Sequence, residues 1–507
     1  MIKRILLVDI EASYYNQQKS QLSSKWIHHP IGLMYLAAIG QKAFPDVTFR
    51  IFHSATADNP LEKLRSLITD FKPDLIGLRS LSIARESFLE IVNLIRESNP
   101  NISLIAGGPF PVSSYRDILL SQKVDLVVIG EGEKTFVNII QHLRDKNCLP
   151  KDLIGTAILS DNSQVVVNSP QVLIEELDTL PFPDYGLINL SDYKGLSNLA
   201  FQDSSKSVFI YSSRGCPHKC FYCHNIFGKK VRRRSAENVL SEMREHLDKR
   251  GINDFVFVDD IFNVPMKAGK ELLSLIANNL KDVRLSFPNG MRADQIDEEF
   301  IDLLENAGTV QMAIAVETAS TRLQKIIGKN LNLDKAKISI QAASRRFVVC
   351  ALFMVGFPSE TSEEAMKTIH FAQDLDHIAQ PALSVVRMYK GTVLYEMLCP
   401  SEEQSKAIEK QEKQLLQPKL TDSLCFYGDL FSREKVPLNS QDIKKLRWEW
   451  MRRVFNNPLR LASSHKVIQK HFNHEQMIQL YRNLFDNPKF NNSNLRMLFG
   501  INDKRTL

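Results

Sequence analysis

Apolar and polar positions in the first 145 residues follow two alternating patterns. Short apolar runs are typical of strands buried on both faces, and the segments between them repeat apolar residues every three or four positions, as amphipathic helices do. This alternation indicates a Rossmann-like α/β domain, in which helices cover both faces of a parallel sheet. The predicted strands span 3–10, 47–54, 73–81, 102–109 and 124–132, and the predicted helices span 30–44, 60–71, 84–98 and 133–146.

A second strand–helix series begins near residue 206 and predicts a full or partial TIM barrel. Barrels of this kind carry their chemistry at the carboxyl ends of the strands. Before this series, a linker contains a predicted hairpin at 155–169, and after it a charged, helical pattern predicts a lid or a packing appendage. The predicted domains are 1–146, 147–205, 206–400 and 401–507.

Composition narrows the classes of partner. The chain has 64 basic and 58 acidic residues and a net charge of +6, which implies no general affinity for nucleic acid. One dense basic run, "KKVRRR" (229–234), could meet phosphates or could be a solvated segment leading into a helix. No apolar stretch is long enough to span a bilayer, and the N-terminus lacks a signal-peptide pattern, so we expect a cytoplasmic location.

Glycines cluster at the ends of the predicted strands of the first domain. They are Gly77, the Gly107–Gly108–Pro109 turn, and the run Gly130–Glu131–Gly132. In open parallel sheets ligands bind beyond the carboxyl ends of the strands, and glycine there lets a large ligand approach the backbone. Turn glycines without a ligand explain the same pattern. Neither a G-x-G-x-x-G after the first strand nor a P-loop motif is present in the sequence.

Three of the seven cysteines, Cys216, Cys220 and Cys223, lie within eight positions. Zinc is one alternative, with His218 or His224 as a fourth ligand, but neither histidine has favourable spacing. An iron–sulfur cluster fits three close thiolates better and leaves one iron open to a substrate or cofactor. The other cysteines are scattered singly, and Cys350 lies in an apolar run that predicts a buried side chain.

"CPHKCFYC" (216–223) resembles the C-x-x-x-C-x-aromatic-C signature of the radical S-adenosylmethionine enzymes. The resemblance implies a 4Fe-4S cluster on the three cysteines, with S-adenosylmethionine on the open iron and a 5′-deoxyadenosyl radical as its cleavage product. "VFVDDIF", "GMRAD", "AVETAS", "FMVGFPSET" and "YKGTVLYE" resemble further elements of that barrel, although Ala315 replaces a glycine. The implied S-adenosylmethionine contacts are Tyr222, Asp259, Asp260, Arg292, Glu317 and Gly356. Each acid or arginine among them could equally form a salt bridge at the barrel end.

The first domain is similar to the cobalamin-binding domain that precedes the barrel in one group of these enzymes. The similarity lies in "HPIGLMYLAAIG", "KPDLIGLRSLS", "IAGGPFPVSS" and "VVIGEGEKTF". The histidine motif D-x-H-x-x-G is absent, and His28, His29 and His53 lack its context. A domain that binds no cofactor is the alternative. The implied cobalamin contacts are Gly32, Gly77, Gly107, Gly108, Pro109, Gly130, Glu131 and Gly132.

The combined resemblance implies methylation of an unactivated carbon or phosphorus centre of a small molecule, with methylcobalamin as the methyl donor. It also implies an external one-electron reductant of the flavodoxin or ferredoxin type, no nucleic acid and no membrane span. Two alternatives stay open. One is oxidation, cyclisation or rearrangement, as in the anaerobic magnesium-protoporphyrin ester cyclase group, and the other is a non-catalytic sensor that binds the cofactors. Too few further cysteines are present for the second clusters of methylthiotransferases and related subgroups.

Overall fold

The computed structural model describes residues 2–11, 28–169, 173–193, 203–224, 226–399, 401–415, 426–472 and 477. Its first sheet has seven strands in the order β2-β1-β3-β4-β5-β6-β7, of which the first five are parallel. The strands are β1 (Arg4–Ile10), β2 (Thr48–His53), β3 (Leu75–Ser80), β4 (Ser103–Gly107), β5 (Leu126–Val128), β6 (Thr156–Leu159) and β7 (Val165–Val167).

Helices cover both faces of this sheet, which explains why its central strands are apolar without alternation. Ile5, Leu6 and Leu7 of β1 are all buried although their side chains point to opposite faces. The helices are α1 (Ile31–Ala43), α2 (Pro60–Phe71), α3 (Arg85–Ser98), α4 (Pro109–Ser113), α5 (Tyr115–Leu120) and α6 (Glu133–Lys146). The sequence pattern therefore predicted the strands and the long helices within a few residues.

The predicted hairpin forms and continues the first sheet. Strand β6 pairs antiparallel with β5, and β7 pairs antiparallel with β6. The hairpin strands lie in the segment that the sequence pattern assigned to a linker, yet their backbone hydrogen bonds join them to the edge of the preceding domain. A hairpin is a local signal, whereas its pairing partner depends on tertiary contacts.

The second sheet has six parallel strands in the order β15-β14-β13-β12-β11-β8, which confirms a partial barrel. A separate antiparallel ribbon pairs β9 with β10. The strands are β8 (Ser207–Ile210), β9 (Ser213–Arg214), β10 (Arg232–Arg233), β11 (Asp254–Phe257), β12 (Arg284–Met291), β13 (Thr309–Glu317), β14 (Val348–Val355) and β15 (Gln380–Val385).

Helices pack on the outside of the partial barrel and follow its strands. The first of them begins after Ser235, whose side chain accepts a hydrogen bond from the Asn238 amide and so caps the helix. The helices are α7 (Ala236–Arg250), α8 (Met266–Asn279), α9 (Glu298–Asn306), α10 (Thr321–Ile326), α11 (Leu333–Ser344), α12 (Ser362–Gln373), α13 (Val393–Leu398), α14 (Glu402–Leu415), α15 (Ser440–Trp450) and α16 (Pro458–His471). Strand β14 contains Cys350, which is fully buried as predicted.

The described part of the C-terminal segment packs against the barrel rather than standing apart from it. Phe426 and Trp450 belong to the same buried cluster as the barrel core, and the Trp450 ring lies 5.4 Å from that of Phe353 on β14. The guanidinium of Arg460 is buried and donates to backbone carbonyls that include those of Ile378 and Val454. These contacts make the segment a structural cover for the outer strands.

In the ranges that the structure describes, no helix combines the length and apolar character that a bilayer span requires.

Candidate active site

The three clustered cysteines lie on one loop, residues 215–231, whose two ends are held together by the ribbon of β9 and β10. The loop starts at Gly215, where φ is +94° and a Cβ would lie 2.3 Å from the carbonyl oxygen of Lys230. Only glycine tolerates both the left-handed backbone and this approach. The far side of the loop passes Gly328, where a Cβ would lie 2.6 Å from the Lys219 carbonyl oxygen. Two glycines thus determine the path of the cysteine loop.

The donor set on this loop suits a cluster better than a single ion. The cysteines are free, with Cys216 and Cys220 partly buried and Cys223 exposed. Among the described residues, the three sulfur atoms do not all come within 4.8 Å of one another, whereas the ligands of one tetrahedral zinc lie about 4 Å apart. Desolvation raises the pKa of the Cys216 and Cys220 thiols, so a bound metal would have to displace their protons. Proton loss is required for a cluster as well as for zinc, so it is the separation of the sulfur atoms that disfavours the zinc alternative.

The two neighbouring aspartates after β11 have different environments. Asp259 is buried and accepts hydrogen bonds from the hydroxyls of Ser212 and Ser213 at 2.9 and 2.6 Å. Asp260 is exposed, and its Oδ2 accepts a 2.8 Å hydrogen bond from the Gly215 amide at the start of the cysteine loop. The sequence left open which of the two faces the site. In the structure, Asp260 contacts the loop directly and Asp259 supports the strand before it.

Arg292 and Glu317 both form the barrel-end ion pairs that were the alternative to ligand contacts. The Arg292 Nε lies 2.7 Å from Asp294 Oδ1, and its Nη1 donates to the Lys329 carbonyl at 2.9 Å and to the His218 ring on the cysteine loop. Glu317 ends β13 with a φ of +69° and accepts a 2.8 Å hydrogen bond from Lys329 Nζ. Both side chains therefore brace the wall beside the cysteine loop.

Tyr222 contacts the aromatic ring of Phe357, the residue that follows Gly356 in the chain. The Tyr222 ring lies 5.6 Å from that ring. Gly356 follows β14 with a φ of +92°, and a Cβ there would lie 2.7 Å from the ring of Phe426. The glycine thus makes room for the C-terminal segment, a contact that the barrel motif alone did not reveal.

Glu360 is a buried carboxylate that the sequence motifs did not single out. Its Oε2 accepts hydrogen bonds from the amides of Gly356 and Phe357 at 2.5 and 3.0 Å, while its Oε1 has no hydrogen-bond partner among the described residues. Burial raises the pKa of the Glu360 carboxyl from 4.5 to about 8. Burial removes the hydration that would stabilise the ionised form, so this raised pKa favours the protonated carboxyl at neutral pH.

Glu360→Gln is expected to make stability less dependent on pH. Between about pH 5 and 8 the folded protein keeps this proton and the unfolded chain releases it, so rising pH favours unfolding. The wild type should therefore lose unfolding free energy across this range, and the variant should lose less. Urea unfolding at several pH values measures the slopes. The exposed Glu363→Gln is the control, and equal slopes in wild type and Glu360→Gln would contradict the prediction.

Most of the glycines predicted to meet cobalamin lie along one edge of the first sheet, after the neighbouring strands β4 and β5. Gly108 and Gly130 have φ values of +83° and +86°. A Cβ on Gly32 in α1 would meet nothing within 4 Å, so its surroundings are open. Gly107, Pro109 and Gly132 complete this edge. Gly77 lies inside β3 instead, where a Cβ would be 2.9 Å from Leu7 Cδ2, and it serves packing.

The side chain of Glu131, which lies on this edge, reaches the arginines at the two ends of the cysteine loop. Its Oε1 lies 3.2 Å from Arg214 Nη1 and its Oε2 lies 2.7 Å from Arg232 Nη1. The sequence pattern allowed two roles for the basic run 229–234, a phosphate-binding segment or a solvated one. Both are wrong for Arg232 and Arg234, which pair with carboxylates. Arg232 and Arg234 are buried, and Arg234 forms an ion pair with Glu242. Long-range partners were invisible in the local pattern.

The histidines without a cobalamin motif have structural partners. His29 stacks on Phe209 of β8 with ring centroids 4.6 Å apart, and its two nitrogens contact the Ser204 carbonyl and the Tyr185 hydroxyl. Both nitrogens are thus engaged between the domains. His53 contacts the Tyr193 hydroxyl through Nδ1, and within the part of the chain that the structure describes its Nε2 has no hydrogen-bond partner.

His53 also belongs to a group of potential metal ligands with Asp9 and Glu11, whose donor atoms lie within 4.8 Å of one another. Arg79 lies against the same group, and its Nη1 contacts both carboxylate oxygens of Asp9 at 2.9 and 3.2 Å. The guanidinium already supplies a positive charge to this carboxylate, so we assign no metal ion here.

Sequence profiles of two families match the chain. The profile of the radical SAM superfamily matches residues 210–372, and that of the B12 binding domain matches residues 22–140. The first range contains the cysteine loop and most of the barrel, and the second contains the glycine-bearing edge.

Three relatives are similar over most of the chain. An uncharacterized methyltransferase of Pyrococcus horikoshii is 29% identical over 72% of this chain and 78% of its own length. The cytidylyl-2-hydroxyethylphosphonate methyltransferase of Streptomyces wedmorensis is 26% identical over 73% and 77%. The anaerobic magnesium-protoporphyrin IX monomethyl ester cyclase of Rubrivivax gelatinosus is 25% identical over 71% and 64%.

A solved structure shares the arrangement of both domains. The cobalamin-dependent S-adenosylmethionine radical enzyme OxsB, with aqua-cobalamin and S-adenosylmethionine bound, superposes with a TM-score of 0.67 over 95% of this chain and 70% of its own. The two sequences are 14% identical, so the likeness concerns the fold.

Proposed function

Because the chain belongs to the radical S-adenosylmethionine enzymes that carry a B12-binding domain, we propose that it methylates an unactivated carbon or phosphorus centre of a small molecule. Two of the relatives are named as methyltransferases, and one of these is named for a phosphonate. The chain itself is an enzyme of this family, and the type of centre is our proposal.

One observation carries the proposal: both candidate cofactor sites adjoin the same cluster of ion pairs. Glu131 lies between Gly130 and Gly132 on the glycine-bearing edge, and its partner Arg214 directly precedes Gly215 at the start of the cysteine loop. A second cross-domain contact joins Lys390 Nζ to Asp117 Oδ2 at 2.7 Å. Two cofactors held this way would act on one substrate in a shared space, which is the placement that a coupled reaction needs.

The residues of the chain have separate tasks in this proposal. When bound, the cluster supplies the electron for S-adenosylmethionine cleavage, and cobalamin supplies the methyl group. The three cysteine thiolates hold the cluster, and the proposed S-adenosylmethionine contacts nearest the loop are Tyr222, Asp260, Glu317 and Gly356. Asp259 and Arg292 are proposed to act indirectly. Asp259 holds Ser212 in the segment before the cysteine loop, and Arg292 contacts His218 on the loop itself. The proposed cobalamin contacts are Gly32, Gly107, Gly108, Pro109, Gly130 and Gly132.

Cys223 is the exposed residue among the three cysteines, which would place its side of the cluster near the surface, where an external electron donor can approach. We propose an external reductant of the flavodoxin or ferredoxin type, which would fit a cytoplasmic location. The substrate is a small molecule, since the basic run offers buried arginines rather than a phosphate-binding surface.

The test is a label-transfer assay on the anaerobically reconstituted enzyme. S-adenosylmethionine with a labelled methyl group is supplied with reductant and cobalamin, and cobalamin and nucleoside products are analysed. We expect labelled cobalamin, S-adenosylhomocysteine and 5′-deoxyadenosine. Cys350→Ala is the control variant, because this buried cysteine lies in β14 away from the cluster loop. Absence of labelled cobalamin would contradict the proposal that the enzyme is a methyltransferase.

The same assay separates the alternative functions. The similarity to the ester cyclase favours ring formation or oxidation as a second candidate. That chemistry would give 5′-deoxyadenosine without transfer of the methyl label. A non-catalytic sensor would give neither product while still binding the cofactors.

A further inference from the structure

Four buried charged side chains form an ion-pair cluster between the two domains. Arg214 lies 3.2 Å from Glu131 and, through Nη2, 2.7 Å from Glu133 Oε1, and Arg232 lies 2.7 Å from Glu131. These side chains are at most 7% exposed, and the two positive charges balance the two negative charges. Such a buried cluster requires all of its members, because removing one leaves an unpaired charge away from water.

The four charged side chains come from two places in the fold, each next to one of the candidate cofactor sites. Glu131 and Glu133 lie at the turn from β5 to α6, on the glycine-bearing edge. Arg214 and Arg232 face each other as paired residues of β9 and β10, where the cysteine loop begins and ends. The two carboxylates of the first domain therefore bind both ends of the cysteine loop, which belongs to the barrel domain.

The hydrogen bonds of Glu131 leave it little capacity for a further ligand. Its Oε1 accepts from Arg214, and its Oε2 accepts from Arg232 and, at 2.7 Å, from the backbone amide of Ile174. The carboxylate is fully buried. A contact between this carboxylate and a corrin ring would require the cluster to open, so the geometry favours a role for the Glu131 side chain other than contact with cobalamin.

We propose that Glu131 is a positioning residue that fixes the base of the cysteine loop to the cobalamin-binding domain and so sets the separation of the two cofactors. The proposal rests on the proposed function, because that separation has meaning only if both cofactors are bound. The arginines are themselves held in place. The Arg214 guanidinium lies 5.2 Å from the rings of Tyr35 and Phe227, and Arg232 also donates to the carbonyls of Ile174 and Phe227. A rigid loop base of this kind holds the cysteine loop at a fixed position relative to the first domain.

Glu131→Gln tests the proposal because it keeps the shape of the side chain and removes its charge. Arg214 then keeps its ion pair with Glu133, whereas Arg232 keeps only neutral backbone partners among the described residues, so the loop base should open more often. In the full-length protein without cofactors, we expect amide hydrogen exchange in residues 215–231 to rise about tenfold or more, with strands β12–β14 unchanged. Glu175→Gln is the matched control, since Glu175 pairs at 2.6 Å with Lys230 of the same loop but is half exposed.

Two measurements on the loaded enzyme separate positioning from ligand contact. Spectrophotometric titration should give a cobalamin dissociation constant within about twofold of wild type, because Glu131 does not face the corrin in this proposal. Pulsed electron paramagnetic resonance between Co(II) cobalamin and the reduced cluster should show a broader distance distribution in Glu131→Gln. Methyl transfer should fall about tenfold or more through misplacement of the cofactors.

Each outcome decides the question. Unchanged amide exchange in residues 215–231 of Glu131→Gln would overturn the proposal. If the affinity for cobalamin also fell tenfold, the result would favour a direct contact between Glu131 and cobalamin instead. If Glu131→Gln does not fold, Glu133→Gln serves instead and should give a smaller increase in exchange, because Glu133 pairs with Arg214 alone. If the wild type binds no cobalamin, the proposed function fails while the exchange experiment still reports on the loop.

Discussion

Cys220→Ala is expected to abolish formation of 5′-deoxyadenosine and methyl transfer together. Cys220 is the middle donor of three on a single loop, and among the described residues the other free cysteines lie outside residues 215–231. With two thiolates left, a cluster with an open iron cannot be held. Loss of even an outer partner of a metal site costs about 10- to 100-fold, so loss of a direct ligand should lower activity by more than about 100-fold.

The measurement is a deoxyadenosine assay with iron and sulfide analysis of the purified variant. Because Cys220 is only partly buried, the protein should still fold, and its thermal unfolding should remain close to that of wild type without the cluster. Cys350→Ala is again the control and should retain its iron content. A Cys220→Ala variant with full cleavage activity would refute the cluster assignment.

Gly215→Ala is expected to have the second-largest effect, by preventing the cysteine loop from closing. Alanine at φ +94° is strained, and its Cβ would meet the Lys230 carbonyl oxygen at 2.3 Å. Since both groups in this collision belong to the backbone, neither can rotate away. The hydrogen bond from the Gly215 amide to Asp260 would be displaced as well. We expect iron content and deoxyadenosine formation to fall about tenfold or more.

The chain contains a matched control for the strain alone. Gly251 ends α7 with a φ of +63°, and a Cβ there would meet nothing within 4 Å. Gly251→Ala should therefore cost only the left-handed strain, about 1 kcal/mol of unfolding free energy, and leave the cluster intact. Chemical unfolding and iron analysis of both variants separate strain from collision. Equal iron content in the two variants would contradict the role assigned to Gly215.

Local patterns were sufficient for much of the fold. The predicted helix 133–146 matches α6, and the predicted hairpin matches β6 and β7, because periodicity and turn residues act over a few neighbouring positions. The barrel motifs identified the cysteine loop and the strand ends around it for the same reason. The roles of individual residues at those strand ends are not determined in this way, and they remain proposals.

Charged residues show where local patterns fail. The pattern "VDDI" could not say that Asp259 is buried by Ser212 and Ser213 while Asp260 reaches Gly215. The basic run is similar: Arg232 is buried only because Glu131, 101 residues earlier in the chain, supplies its charge partner. Whether a charge is solvated or paired depends on neighbours that are distant in sequence.

The sequence by itself determined the order of strands and helices, the two-part architecture and the three thiols with an open fourth position. These features follow from residue periodicity and from donor spacing within one loop. Only the tertiary structure decided which side chains meet between the two parts. The carboxylate of Glu131, on the glycine-bearing edge, pairs with arginines at both ends of the cysteine loop, because a buried carboxylate is stable only where opposite charges can reach it.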